Sequence, residues 1–131
     1  MTDEIMSITL DCQYPTLNEY INVERNNRYS ANSQKQKYTN ITKMLAKHCN
    51  KVTEKADMLF EWHVATKHDH DNIAFAKKFI LDGFKQAGVI KDDKQAYIGH
   101  LYDEFYKDTR SYVIVHVLKH QSSGRLRGNR K

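Results

Sequence analysis

Between His68 and Asp93 the chain reads His-Asp-His-Asp-Asn-Ile-Ala-Phe-Ala-Lys-Lys-Phe-Ile-Leu-Asp-Gly-Phe-Lys-Gln-Ala-Gly-Val-Ile-Lys-Asp-Asp. Paired aspartates open and close this stretch, with a basic amphipathic segment between them. Carboxylates crowded together repel one another. Gathered around Mg²⁺ beside a cation, they make a site that can cleave phosphodiesters. Asp69 and Asp71 are two apart, and in extended backbone such residues point the same way. Asp92 and Asp93 follow the helix that the pattern starts at Asp71. A helix of roughly 16 residues carries the chain about 25 Å. Asp93 therefore reaches the first pair only by returning along the next strand, or if the helix starts late, after a loop through Ile73 to Ala76. Ordinary uses compete with this reading. Aspartate caps helix amides and favours the helix dipole, and Asp92-Asp93 after Gly88 can be a solvated turn.

Lys77 and Lys78 lie on the same segment. Lys78 stands four residues before Asp82, so a helix-surface ion pair is one reading. Contact with a scissile phosphate, or with developing negative charge, is the other. His68 and His70 interleave with the aspartates. A His-Asp pair can bind a transition metal, but here it falls between a strand and a helix without distant partners. His63, His100 and His116 fall in strand patterns and read as packed or surface residues. The stretch from Asn18 to Tyr29 is rich in asparagine and tyrosine and holds Arg25 and Arg28. It can grip a nucleic-acid backbone or serve as a packed connector. Gly124 to Lys131 carries four positive charges, Arg125 and Arg127 among them, and no negative one.

These residues must be positioned by the elements around them. Met6, Ile8, Leu10 and Cys12 alternate with polar residues, which predicts a half-buried strand ending before Pro15. Leu17 to Asn32 reads as a polar loop entering a helix near Ser30. In that helix Tyr38, Ile41, Thr42, Leu45 and Cys49 recur at helical spacing up to about Asn50. Met58, Phe60, Trp62 and Val64 give a second strand with its large side chains on the core face. After a turn over Lys67–Asn72, Asp71 or Asn72 caps a helix whose inner face is Ile73, Ala76, Ile80, Phe84 and Ala87. Gly88 stops it. Strands over Ala96–Tyr106 and Ser111–Lys119 follow, joined as a hairpin by Lys107–Arg110. The order β-α-β-α-β-β predicts an α/β (α+β) fold, a small mixed four-stranded sheet with two helices packed on it. The expected domain spans residues 1–120, with a basic, mobile tail over 121–131.

At 131 residues, with 40% apolar and 28% charged residues, the composition suits one globular domain. Lysine and arginine number 21 against 16 acidic residues, a net charge of +5. This balance is compatible with a nucleic-acid partner. No apolar run is long enough to span a membrane. The acidic start lacks a secretory pattern, so the expected location is cytoplasmic. Cys12 and Cys49 lack metal-ligand spacing and read as reduced packing residues.

Several blocks, in order, resemble the RusA family of Holliday junction resolvases, in the branch found in bacteriophages and prophages. They are Thr16-Leu-Asn-Glu-Tyr-Ile-Asn-Val-Glu-Arg-Asn-Asn-Arg-Tyr29, Asp69-His-Asp-Asn72, Lys78-Phe-Ile-Leu-Asp-Gly-Phe84 and Ala87-Gly-Val-Ile-Lys-Asp-Asp93. The resemblance runs to about Lys119. It implies a homodimer that cuts four-way DNA junctions symmetrically with Mg²⁺ or Mn²⁺, in recombination and repair, without an organic cofactor. It implies Asp69, Asp71 and Asp93 as metal ligands and a functional lysine shortly after them. In the enterobacterial form that lysine follows sooner. Counting forward from Asp71 at that spacing lands on Phe75, whereas counting back from Asp82 lands on Lys78. A short insertion makes Lys78 the expected residue, with Lys77 the alternative. Arg25, Arg28, Lys77, Arg125 and Arg127 are the expected contacts to branched DNA. A non-catalytic junction-binding module of the same fold and a metal-dependent nucleotide hydrolase are the competing functions.

Overall fold

The computed structural model describes residues 4–26, 28–92, 94 and 96–122. Its elements are strand β1 (Glu4–Leu10), helices α1 (Leu17–Asn26) and α2 (Arg28–Leu45), strand β2 (Ala56–Val64), helices α3 (His70–Ala74) and α4 (Lys77–Ala87), and strands β3 (Ile98–Lys107) and β4 (Tyr112–Lys119). The mixed four-stranded α+β architecture is the one the sequence predicts. The second expected helix is divided into two consecutive segments, α3 and α4, and a helix that was not expected, α1, precedes the first.

The sheet order is β1-β4-β2-β3. Strand β2 is antiparallel to β4 and parallel to β3, and β1 is antiparallel to β4. The expected hairpin between the last two strands therefore does not form, because β2 lies between them. Met58, Phe60 and Trp62 of β2 are at most 2% exposed, and such a strand needs neighbours on both edges. The link from β3 to β4 instead passes over the end of β2, where the Asp108 N–H donates to the Val64 carbonyl at 3.0 Å.

Alternation along the strands sorts their side chains. Ile8, Leu10, Phe60, Trp62, Val113, Val115 and Val117 join Phe79, Ile80 and Phe84 of α4 in one core. Glu61, His63, Tyr112 and His116 take the opposite face.

Within the loop expected over Leu17–Asn32, Leu17–Asn26 and the residues from Arg28 onward are instead helical. Thr16 starts α1 with a reciprocal cap. The Thr16 N–H donates to Glu19 Oε1 at 2.9 Å, and the Glu19 N–H donates to Thr16 Oγ1 at 3.3 Å. This is the Thr-x-x-Glu capping box. Tyr20 then packs on Phe75 and Phe79 at centroid distances of 5.4 and 5.9 Å, so its part of the stretch is packed connector. The second helix ends at Leu45, earlier than the expected Asn50, and Gly88 ends α4 as predicted, in the left-handed region at φ 83°. Cys12 and Cys49 are free thiols. No helix of the described residues is long and apolar enough to cross a membrane.

Helices α2 and α4 approach closely at Gly83. A Cβ there would lie 2.5 Å from Thr42 Cβ and 3.0 Å from the Thr39 carbonyl oxygen. Overpacking costs about 1–3 kcal/mol, and alanine returns about 1 kcal/mol of helix propensity. Gly83→Ala should therefore lower stability by about 1 kcal/mol in urea unfolding, despite its better propensity.

Candidate functional site: the acidic loop after the second strand

The segment leaving the end of β2 is held at two points. His70 stacks nearly parallel on Phe105 of β3, with centroids 3.9 Å apart. Asn72 Oδ1 accepts the Asn18 N–H of α1 at 3.0 Å. These contacts fix the backbone that carries Asp69 and Asp71, and both aspartates are exposed.

Asp69 occupies the N-cap position of α3 but makes no side-chain capping bond. Asp71 Oδ1 accepts the Asn72 N–H at 3.0 Å. The expected cap by Asp71 or Asn72 is absent. Helix α4 has Ala76 at its N-cap and likewise no side-chain cap. Helix α3 ends after a single short turn, so the break falls at Phe75–Ala76.

The two lysines have different surroundings. Lys77 Nζ contacts Asp103 Oδ2 at 2.7 Å and lies 5.3 Å from the centre of the Phe60 ring. Asp103 also accepts Trp62 Nε1–H at 2.9 Å. Lys77 is thus committed to a partly buried structural pair. Lys78 is exposed and has no carboxylate partner among the described residues, so the pair with Asp82 that its spacing allows does not form. Its ammonium lies 5.2 Å and 5.7 Å from the Phe75 and Tyr20 ring centres. A shallow groove beside the loop is lined by Lys67, His68, His70, Phe105 and Lys107.

Asp93, Arg125 and Arg127 lie outside the described residues, as does the side chain of Arg28. Arg25 is exposed in the last turn of α1. Asp92 sits near Lys85 and Lys94, at 4.0 and 3.9 Å. Lys85 is in the last turn of α4, while the acidic loop precedes the first. Eleven helical residues span about 16 Å, so Asp92 and the Asp69–Asp71 pair stand at opposite ends of α4.

Sequence reasoning missed Asp103, whose role depends on the parallel pairing of β2 and β3. It also missed two clusters on the sheet. Glu61 Oε2 and Oε1 contact His63 Nε2 at 2.6 Å and His116 Nε2 at 2.8 Å. His116 Nδ1 contacts Glu4 at 2.7 Å, and His63 Nδ1 contacts Asp108 at 3.0 Å. Burial opposes protonation of His116, but its bonds to Glu61 and Glu4 and their charges outweigh it and raise its pKa. Burial likewise raises that of Glu61, while its two imidazole partners bring it below the ordinary value. The second cluster is Asp57, His100 and His120. Among the described residues it is the one trio of His, Cys, Asp or Glu with ligand atoms all within 4.8 Å of one another.

No protein-family model matches this chain, and no curated protein matches it.

Proposed function

We propose that the chain is a Mg²⁺-dependent, structure-selective endonuclease of the RusA type, acting on four-way DNA junctions as a homodimer. The observation that carries this reading is the state of Asp69. It sits at a helix N-cap, yet its carboxylate is exposed and makes no capping bond. Together with Asp71 it offers hard oxygen donors on a backbone anchored by His70 and Asn72. Such a pair fits Mg²⁺, which keeps several waters and uses one or two carboxylates. Mg²⁺, or Mn²⁺ in its place, when bound supplies an acidified water and polarised phosphoryl oxygens.

The chain's own residues have distinct parts. Asp69 and Asp71 hold the ion; the resemblance also implies Asp93 as a ligand, while its neighbour Asp92 stands at the other end of α4. Lys78, exposed and without a carboxylate partner among the described residues, offsets negative charge that develops on the phosphate. Lys77 is assigned to positioning α4 through Asp103 rather than to DNA. Lys67 and Lys107 in the groove, with Arg25, Arg28, Arg125 and Arg127, contact backbone phosphates, so binding should weaken steeply with salt. A two-fold dimer would match the near two-fold symmetry of a junction.

The test is cleavage of a labelled four-way junction beside a linear duplex of the same sequence, with Mg²⁺ and with EDTA. Symmetric nicks are expected in the junction alone and only with metal. The distance of Asp92 from the acidic loop favours a second reading, a junction-binding module without catalysis. Junction binding without nicks would select it.

A further inference from the structure

The starts of β2 and β3 and the end of β4 meet at one end of the sheet, where Asp57, His100 and His120 converge. Asp57 is fully buried. Its Oδ1 accepts the His100 backbone N–H and contacts His120 Nδ1, both at 2.8 Å. Its Oδ2 accepts the Gln121 N–H at 3.2 Å. These bonds make Asp57 a tie between strand ends, and that role alone does not require the His100 ring. Yet that ring stacks on His120, with centroids 5.4 Å apart, and brings a nitrogen into the same cluster.

The hydrogen bonds also set the ring protons. His100 Nε2 lies 3.1 Å from the Gln121 carbonyl. A carbonyl only accepts, so Nε2 carries the proton and the lone pair of His100 lies on Nδ1. His120 Nδ1 in turn donates to the Asp57 carboxylate. A carbonyl acceptor such as that of Gln121 orients an imidazole whose other nitrogen faces a metal. Gly99 permits this close approach, because a Cβ there would overlap both His120 Nδ1 and Asp57 Oδ1.

We propose that Asp57, His100 and His120 form a binding site for a divalent transition-metal ion of the Zn²⁺ class, clamping the ends of β2, β3 and β4. Two imidazoles and a carboxylate select such an ion over Mg²⁺. Donors in a tetrahedral site with bonds of about 2.0–2.1 Å lie about 3.3 Å apart. The contact between His120 Nδ1 and Asp57 Oδ1 therefore opens by about 0.5 Å as the His120 proton passes from Nδ1 to Nε2 by exchange with solvent and the metal enters at Nδ1. A water completes the coordination. Asp57 is near the start of β2 and the acidic loop follows its end, about 25 Å away along a strand of this length. The two sites are independent.

The experiment is a Co²⁺ titration of the full chain, read by visible absorption, followed by displacement with Zn²⁺. One equivalent of Co²⁺ should give ligand-field bands that Zn²⁺ removes and excess Mg²⁺ does not. His100→Ala and His120→Ala should each weaken binding at least about tenfold. The double variant Asp69→Ala/Asp71→Ala should keep the signal. If His120→Ala fails to fold, His100→Ala decides, because the His100 ring makes no hydrogen bond to Asp57. Absence of saturable binding overturns the proposal. So does binding that survives both histidine changes, or binding lost in the Asp69/Asp71 variant, which would put the metal in the acidic loop.

Discussion

Asp71→Asn should reduce metal-dependent junction cleavage by more than about 100-fold, since changes even to residues behind a metal ligand cost about 10–100-fold. Junction affinity in the absence of metal should stay within about twofold, because the cationic surfaces are untouched. The substitution separates chemistry from folding. Asparagine keeps the shape and the Oδ1 atom that accepts the Asn72 N–H. Asp71 is exposed, so stability should move by no more than about 0.5 kcal/mol. Single-turnover cleavage and filter or gel binding on the same preparation measure both effects. Lys78→Ala should also lower cleavage, whereas Lys77→Ala should register first as lost stability through Asp103. Cleavage by Asp71→Asn at the wild-type rate would remove Asp71 from the site.

How far such a site can be read from sequence depends on whether its parts are local. The strand at Met58–Val64, the buried face of α4 and the stop at Gly88 follow from periodicity and from one residue's backbone freedom. The start of α1 was also local. Thr16-x-x-Glu19 is a capping box, and the polar, asparagine-rich stretch after it obscured the signal. The order of the strands was not local. A four-residue link suggests a hairpin, but the apolar face of β2 is fully buried only with strands along both of its edges, and β2 lies between β3 and β4. Asp103 beside Trp62 and Lys77, and Asp57 beside His100 and His120, exist only in that order. The place of Asp69 and Asp71 just after β2 was local, but the extended spacing that would turn them the same way is not met, since Asp71 lies in α3. The distance from that pair to Asp92 depends on the path of α4.

The same strand order creates the imidazole–carboxylate chain on the face away from the helices. Glu61→Gln should cost about 2 kcal/mol near pH 6 and much less near pH 8. Glu61 spans two strands' worth of partners, His63 on β2 and His116 on β4, and a hydrogen bond to a charged group contributes about 1.5–3 kcal/mol. The side chains of Glu61 and His116 are only about one-fifth exposed, at 23% and 22%, so solvent screens part of that value. The sign follows from the two shifts. His116 is raised above its ordinary value of 6.5, so its contribution is complete below that value and is lost as pH rises through the folded-state pKa. Glu61 is lowered from 4.5, so its contribution is present above that value and is lost as pH falls through its own folded-state pKa. The pair therefore stabilises most between the two ordinary values, about 4.5 and 6.5. Glutamine keeps one acceptor oxygen and offers an amide N–H that a neutral imidazole can accept. The loss is thus confined to the pH range in which His116 carries a proton. Urea unfolding of both proteins from pH 5 to pH 8, with His116 followed by NMR titration, measures the effect. The stability gap should close as pH rises, and the His116 pKa should fall in the variant. A gap that is constant with pH would mean that Glu61 acts through packing alone, and that His116 does not bind its proton through Glu61.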